Sequence, residues 1–164
     1  MKIKSISISN FRNYKQLDLE FKNNVNIFIG NNGEGKTNIL ESIYVLAITK
    51  SHRSYLDKAL IKDGEDYLKV VAKINKKNKD SKFEIYINDK GKRVSINNIK
   101  IKKISEYLSN FSAILFCPDD LELIKGSPNE RRKFLNIEMG QLYKDYMNYL
   151  NDYGILIKTR NSYL

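Results

Sequence analysis

Apolar and polar residues alternate in two stretches near the start of the chain. Residues 2–11 alternate with a slip between Ile3 and Ile6, and Leu17, Leu19 and Phe21 alternate with polar residues. This pattern predicts two half-buried strands joined by a turn at residues 10–14. Residues 25–29 form a short, mostly apolar run, typical of a strand buried on both faces. Apolar residues from Ile39 onward recur at helical spacing and predict a helix.

The middle of the chain keeps the period of two but adds basic turns. Residues 67–74, 82–88 and 93–96 predict an antiparallel meander, which polar residues interrupt between the strands. Residues 101–108 predict a short helix. Residues 112–116 predict another buried strand, which Pro118 ends.

The last third has helical periodicity. Residues 119–125 predict a short helix that ends at Gly126. Ser127 then suits an N-cap, Pro128 the first helical position, and Glu130 the closing residue of a capping box, so a long helix follows. The order of elements predicts an α/β fold with an antiparallel β-subdomain and helices at the C-terminal end.

Composition narrows the classes of function. The 164 residues have a formal charge of +10, which makes polyanions plausible partners. One cysteine, Cys117, and one histidine, His52, exclude a disulfide scaffold, a cysteine-rich zinc site and a multi-histidine metal centre. Neither a signal peptide nor an apolar run of membrane-spanning length is visible, so the sequence predicts a cytoplasmic protein without a membrane partner.

One motif carries specific chemistry, a glycine-rich loop between the predicted strand 25–29 and the predicted helix. The loop reads Gly30, Asn31, Asn32, Gly33, Glu34, Gly35, Lys36, Thr37 and Asn38. It matches the P-loop pattern G-x-x-x-x-G-K-[ST], in which backbone amides surround phosphate oxygens. We expect Lys36 to reach the β- and γ-phosphates of ATP and the Thr37 hydroxyl to bind Mg²⁺.

Four charged residues outside this motif each have two interpretations. Asp119 and Asp120 follow the predicted strand 112–116, as Walker-B acids would, but Cys117 and Pro118 intervene, so their position favours a helix cap. Arg12 is either a solvated turn residue or a charge beside the phosphate loop. Arg53, next to His52, poses the same choice.

Lysines concentrate in and around the predicted meander. They are Lys73, Lys76, Lys77, Lys79, Lys82, Lys90, Lys92, Lys100, Lys102 and Lys103. Such a concentration is either a solvated edge that discourages strand pairing or a surface that contacts the phosphate backbone of DNA. Charge alone leaves both interpretations open.

Motifs spread along the whole chain resemble the N-terminal part of the RecF family, bacterial recombination-repair ATPases related to SMC and ABC heads. The matching segments are residues 10–14, 30–38, 50–53, 116–121, 126–135 and 160–161. The P-loop is common to many families, whereas the string from Gly126 to Leu135 is far more specific.

The resemblance implies a P-loop NTPase of the ABC/SMC-head type with a mixed sheet. Residues 1–126 would be the N-terminal portion of the ATPase head, and residues 127–164 a helical segment leading into a truncated arm. Arg12 becomes a candidate phosphate contact. The Walker-B and signature motifs are not found in the sequence, so the chain alone would bind ATP with weak or absent hydrolysis.

The resemblance also implies a function for the full-length protein, a weak DNA-dependent ATPase of DNA replication, repair and the SOS response. Two heads would dimerise on ATP and help load recombinase at DNA gaps or at junctions of single- and double-stranded DNA, together with a RecR-type mediator. Two alternatives remain: a P-loop small-molecule kinase, and a DNA-binding module with a vestigial nucleotide site.

Overall fold

The computed structural model describes residues 1–163, except the side chains of Asp119, Leu121 and Glu122. Its contacts divide the chain into two compact units, residues 1–102 and the part from Lys103 onward. The domain boundary that the sequence predicts after Gly126 stays a prediction.

The first unit is built on an antiparallel sheet of six strands in the order β2-β1-β3-β4-β5-β6. The strands are β1 (Lys2–Phe11), β2 (Tyr14–Glu20), β3 (Tyr67–Lys76), β4 (Lys79–Asn88), β5 (Gly91–Ile96) and β6 (Ile99–Ile101). The predicted hairpin and meander are therefore present in the described residues, and β6 occupies the first position of the helix predicted at 101–108.

One face of the sheet is the core of this unit. Ile8 in β1, Val70 in β3 and Ile85 in β4 are fully buried, and they lie opposite one another in the strand register. Helix α1 (Lys36–Ile48) adds Val45 and Leu46, also fully buried, and it contacts β1, β3 and β4. Each such side chain contributes about 1.5–3 kcal/mol through burial. This packing fixes the N-terminus of α1 beside the first hairpin.

The prediction of buried strands at residues 25–29 and 112–116 is wrong for the described chain. Neither segment forms a strand, and Ile27, Ile29, Ile114 and Phe116 are between 79% and 90% exposed. A strand needs a neighbour that accepts and donates its backbone hydrogen bonds, and a parallel neighbour arrives only after a long crossover. The described residues provide no such neighbour, so an apolar pattern suited to burial lies open to solvent.

The second unit is mainly helical. It contains α2 (Ile104–Leu108), a 3-10 turn (Pro118–Leu121), α3 (Glu122–Lys125), α4 (Pro128–Leu142) and α5 (Tyr146–Ser162). Ser127 is the N-cap of α4, as predicted, but its side chain makes no capping hydrogen bond, so the predicted capping box is not formed. The buried Gln141 accepts a hydrogen bond of 2.8 Å from the amide of Ala113.

Among residues 1–163, no helix combines the length and the apolar character that crossing a membrane requires.

A candidate nucleotide-binding site

The glycine-rich loop enters helix α1 directly, and two of its glycines have backbone angles that favour glycine. Gly33 has a φ of 89° and Gly35, the N-cap of α1, a φ of 97°. A Cβ at Gly35 would also lie 2.6 Å from the Asn13 side chain and 2.7 Å from the Tyr14 hydroxyl. Position 35 therefore requires glycine both for its backbone conformation and for the close approach of the first hairpin.

The backbone amides of this loop are available for an anion. Within the described part of the chain, the amides of Gly33, Gly35, Lys36 and Thr37 have no hydrogen-bond acceptor. They lie at the N-terminus of a 13-residue helix, where unpaired N–H groups and the helix dipole favour negative charge. This is the arrangement that binds phosphate groups in proteins.

Two charged side chains of the loop, those of Lys36 and Glu34, form hydrogen bonds with the loop backbone. The Lys36 ammonium donates to the carbonyls of Gly30 (2.8 Å) and Asn31 (2.6 Å), and so spans the loop. The Glu34 carboxylate accepts hydrogen bonds from the Asn31 amide (2.8 Å) and the Asn31 side chain (2.9 Å). An anionic group thus already occupies one of the loop amides.

The turn of the first hairpin contacts the loop and the first turn of α1. The Tyr14 hydroxyl donates to the Glu34 carbonyl at 3.2 Å, and the Asn38 side chain donates to the Asn13 carboxamide oxygen at 2.8 Å. Partial burial, with a smaller effect of the nearby Glu34 charge, raises the pKa of Tyr14. The hairpin turn is thus part of the wall of the site.

A buried carboxylate lies behind the loop, on the second turn of α1. Glu41 is 0% exposed and accepts two hydrogen bonds from Arg12, at 2.8 and 3.1 Å, and one from Ser51 at 2.5 Å. Arg53 lies 3.7 Å away and also donates to Asn38 at 3.3 Å. Burial by itself raises the pKa of Glu41, but the hydrogen bonds and the two guanidinium charges outweigh burial and lower it.

The sequence analysis singled out Arg12 and Arg53 but missed Glu41, the residue that joins them. The signal that the sequence offered is a lone acidic residue among the apolar positions of a helix, here between Leu40 and Ile43. Arg12 also donates to the Ala59 carbonyl at 2.8 Å.

The remaining candidates lie apart from this cluster or at its surface. Asn32 and Thr37 are exposed. His52 packs edge-to-face on Tyr44, with ring centroids 5.8 Å apart. Asp120 accepts a hydrogen bond of 2.6 Å from the Cys117 amide, in keeping with a local cap, whereas the Asp119 side chain lies outside the described residues.

These features fit a nucleoside triphosphate with its Mg²⁺ ion. Unpaired amides at a helix N-terminus suit phosphate oxygens, an ammonium group spans the loop, and an exposed hydroxyl stands at the first turn of α1. When bound, Mg²⁺ supplies charge neutralisation of the phosphates. Fold and site together define a P-loop ATPase head.

Comparison with known proteins agrees with this assignment to the ATPase heads. The family model described as AAA ATPase domain matches residues 1–163, and the chain belongs to that family. Its relatives include the DNA replication and repair protein RecF of Streptococcus uberis, 44% identical over 164 residues, and that of a Geobacillus species, 45% identical over 159 residues. The matches cover 100% and 97% of the chain, but only 45% and 42% of the relatives. The chain therefore spans less than half the length of these relatives.

Solved structures show the same likeness. Two structures of the recombination mediator protein RecF in the RecFOR pathway, one with ATP and one described as RecF-ATPrS, match with a TM-score of 0.90 at 34% identity. These matches cover 98% of the chain and 43% or 44% of the solved chains. An SMC head domain from Thermotoga maritima shares the fold, with a TM-score of 0.54 at 14% identity over 68% of the chain and 43% of that chain. The resemblance to RecF and the predicted fold class are confirmed.

Proposed function

We propose that this chain is the ATP-binding part of a DNA replication and repair ATPase. Loop 30–38 binds the triphosphate, Lys36 contacts its β- and γ-phosphates, and Thr37 holds Mg²⁺. The observation that carries the proposal is the row of unpaired amides at the N-terminus of α1, beside an ammonium group that spans the loop. The RecF structure with ATP supports the choice of nucleotide.

Arg12 is proposed as a phosphate contact on the strength of the resemblance. Its Nε and Nη2 atoms donate to Glu41 and its Nη1 atom to Ala59. A direct contact with phosphate therefore requires Arg12 to share or exchange these partners.

For the whole protein we propose an ATP-dependent homodimer in the cytoplasm that binds DNA gaps or junctions and helps load recombinase, with a RecR-type mediator, in DNA repair and the SOS response. The names of the relatives, DNA replication and repair protein RecF and recombination mediator protein RecF, support this role. In the proposed dimer of full-length proteins, two heads sandwich ATP and each P-loop faces the signature motif of the other head.

The positions of the lysines indicate which of them suit a DNA contact. Lys92 does not, because its side chain is 13% exposed and bound to Asp57 and the Thr49 carbonyl. Lys77 and Lys79, at the β3–β4 turn, and Lys90, at the β4–β5 turn, are exposed. We propose that these hairpin tips contact the phosphate backbone, so that replacing all three with alanine reduces DNA affinity and its salt dependence.

An assay of ATP hydrolysis by the chain alone tests whether it binds ATP without hydrolysing it. We expect MgATP binding with little phosphate release, because the sequence provides no Walker-B acid or signature motif. Steady turnover at the rate of an intact ATPase, lost in Lys36→Ala, would contradict this. Phosphate transfer to a nucleoside or sugar would favour the kinase instead. DNA affinity that does not change when ATP is added, and is unchanged in Lys36→Ala, would favour a DNA-binding module with a vestigial nucleotide site.

A further inference from the structure

Among the side chains that the structure describes, Glu41 is the one charged residue in the group of buried polar residues. It lies on α1, five residues beyond Lys36. A buried carboxylate is costly unless hydrogen bonds and opposite charges compensate it. Here Arg12, Ser51 and Arg53 do so, which ties two separate segments, the first hairpin turn and residues 51–53, to the second turn of this helix.

Arg12 is fixed at both its side chain and its backbone. Besides its two hydrogen bonds to Glu41, it donates from Nη1 to the Ala59 carbonyl at 2.8 Å and from its amide to the Leu60 carbonyl at 2.9 Å. Its φ of 53° is left-handed, which places it at the reversal of the first hairpin. The Glu41 carboxylate therefore links this turn to α1.

The next two residues of the turn rest on the phosphate loop. The Asn13 side chain and the Tyr14 hydroxyl leave no room for a Cβ at Gly35, and the Tyr14 hydroxyl donates to the Glu34 carbonyl. This carbonyl belongs to the same peptide group as the amide of Gly35, one of those predicted to contact phosphate. A shift of the turn would therefore move or release that amide.

From these contacts we propose that Glu41 is a positioning residue for the phosphate loop, acting through Arg12 to hold Asn13 and Tyr14 against Glu34 and Gly35. This inference rests on the proposed nucleotide site and deepens it. Glu41 would touch no part of the nucleotide. Its carboxylate would instead keep the loop amides in the geometry that phosphate requires, so that little reorganisation accompanies binding.

Two variants test this series of contacts, one at Glu41 and one at Tyr14. Glu41→Gln keeps the shape of the side chain and removes its charge, whereas Tyr14→Phe removes only the hydroxyl at the surface of the loop. For each we expect MgATP affinity to fall about tenfold by titration calorimetry, and the hydrogen-bonded loop amides of Asn31, Glu34 and Asn38 to exchange hydrogen faster by mass spectrometry. Matched controls, Asp80→Asn for a lost carboxylate and Tyr149→Phe for a lost hydroxyl, should change neither measurement.

A purely structural role for Glu41 would lower the melting temperature but leave the MgATP affinity of the folded protein and the exchange of loop amides unchanged, and that result would overturn the inference. If Glu41→Gln does not fold, Tyr14→Phe decides: affinity and exchange equal to the wild type contradict the proposal. If the wild type itself binds no MgATP, the proposed function fails, and the exchange of loop amides in the variants still decides the role of Glu41.

Discussion

At the scale of single residues, the loop contains its own competing anion. The Glu34 carboxylate is bound by the amide and the side chain of Asn31, a partner that a phosphate oxygen would also use. Glu34 is exposed, and it adds a negative charge a few ångströms from the expected position of a triphosphate. Both effects oppose nucleotide binding.

We therefore expect Glu34→Gln to bind MgATP more tightly, by about fivefold, since a unit charge at 4 Å in water contributes about 1 kcal/mol. Calorimetry at two salt concentrations measures the change, and the gain should shrink at high salt. Glu20→Gln, an exposed carboxylate at the end of β2, is the control. Weaker binding by Glu34→Gln would mean that the carboxylate supports the loop rather than competing for it.

The lowered pKa of Glu41 predicts how the stability of the chain depends on pH. Its pKa in the folded chain lies below the ordinary value of 4.5, so the unfolded chain binds more protons as the pH falls through this range. The stability that its ion pairs provide is thus complete above pH 4.5 and is lost below it. Melting temperatures between pH 7 and pH 3 should fall less steeply for Glu41→Gln than for the wild type.

Asp80 accounts for part of the remaining acid sensitivity. Hydrogen bonds from Asn75 and Lys4 lower the pKa of Asp80 to about 2, so its contribution is lost at more acidic pH than the ordinary value of 3.8. Asp80→Asn should therefore leave the decline near pH 4.5 in place. Parallel curves for Glu41→Gln and the wild type would show that Glu41 is not the group that titrates.

At the scale of elements, local pattern was sufficient for the hairpin and the meander but not for residues 25–29. Strands β1 to β5 pair with neighbours that are close in sequence or share their alternation, so the apolar period and the turn residues predict them. Residues 25–29 have an equally clear apolar pattern, but whether they form a strand depends on a partner that no local pattern reveals.

The exposed segment 25–29 should make the chain prone to self-association. Ile27 and Ile29 are 79% and 90% exposed, while Phe28 turns inward onto Phe21, with ring centroids 6.4 Å apart. Exposed apolar residues in an extended segment favour pairing with other chains. We expect the double variant Ile27→Thr, Ile29→Thr to reduce oligomers in light scattering without lowering the melting temperature.

Ile99→Thr provides the control for this substitution, because Ile99 is also exposed, at 68%, but belongs to the paired strand β6. It should leave the oligomers unchanged. A melting temperature that falls in the double variant would show that residues 27 and 29 pack within the folded chain instead.

The candidate site was predictable only where its residues are contiguous in the sequence. The P-loop is a contiguous motif whose glycines and lysine are visible in the sequence, and the structure places it at the start of α1. The Glu41–Arg12 pair joins residues 29 positions apart through the packing of a hairpin on a helix, and no spacing rule reveals it. The burial of Glu41 is a property of the fold.

At the scale of the whole molecule, one proposition underlies the others: a basic, two-unit chain whose relatives include RecF holds a triphosphate at the N-terminus of α1. The roles proposed for the whole protein in dimerisation, DNA binding and recombinase loading all depend on nucleotide occupying this loop. We expect the loss of the Lys36 ammonium to affect this site most, because in the proposed complex it would supply charge-assisted hydrogen bonds to phosphate.

The direct test is a calorimetric titration of MgATP into the wild type, Lys36→Ala and a control, Lys144→Ala, which removes an exposed lysine in the other unit. We predict equal affinity for the wild type and Lys144→Ala, and a loss of about a hundredfold or more for Lys36→Ala. Binding by Lys36→Ala as tight as that of the wild type would contradict the account.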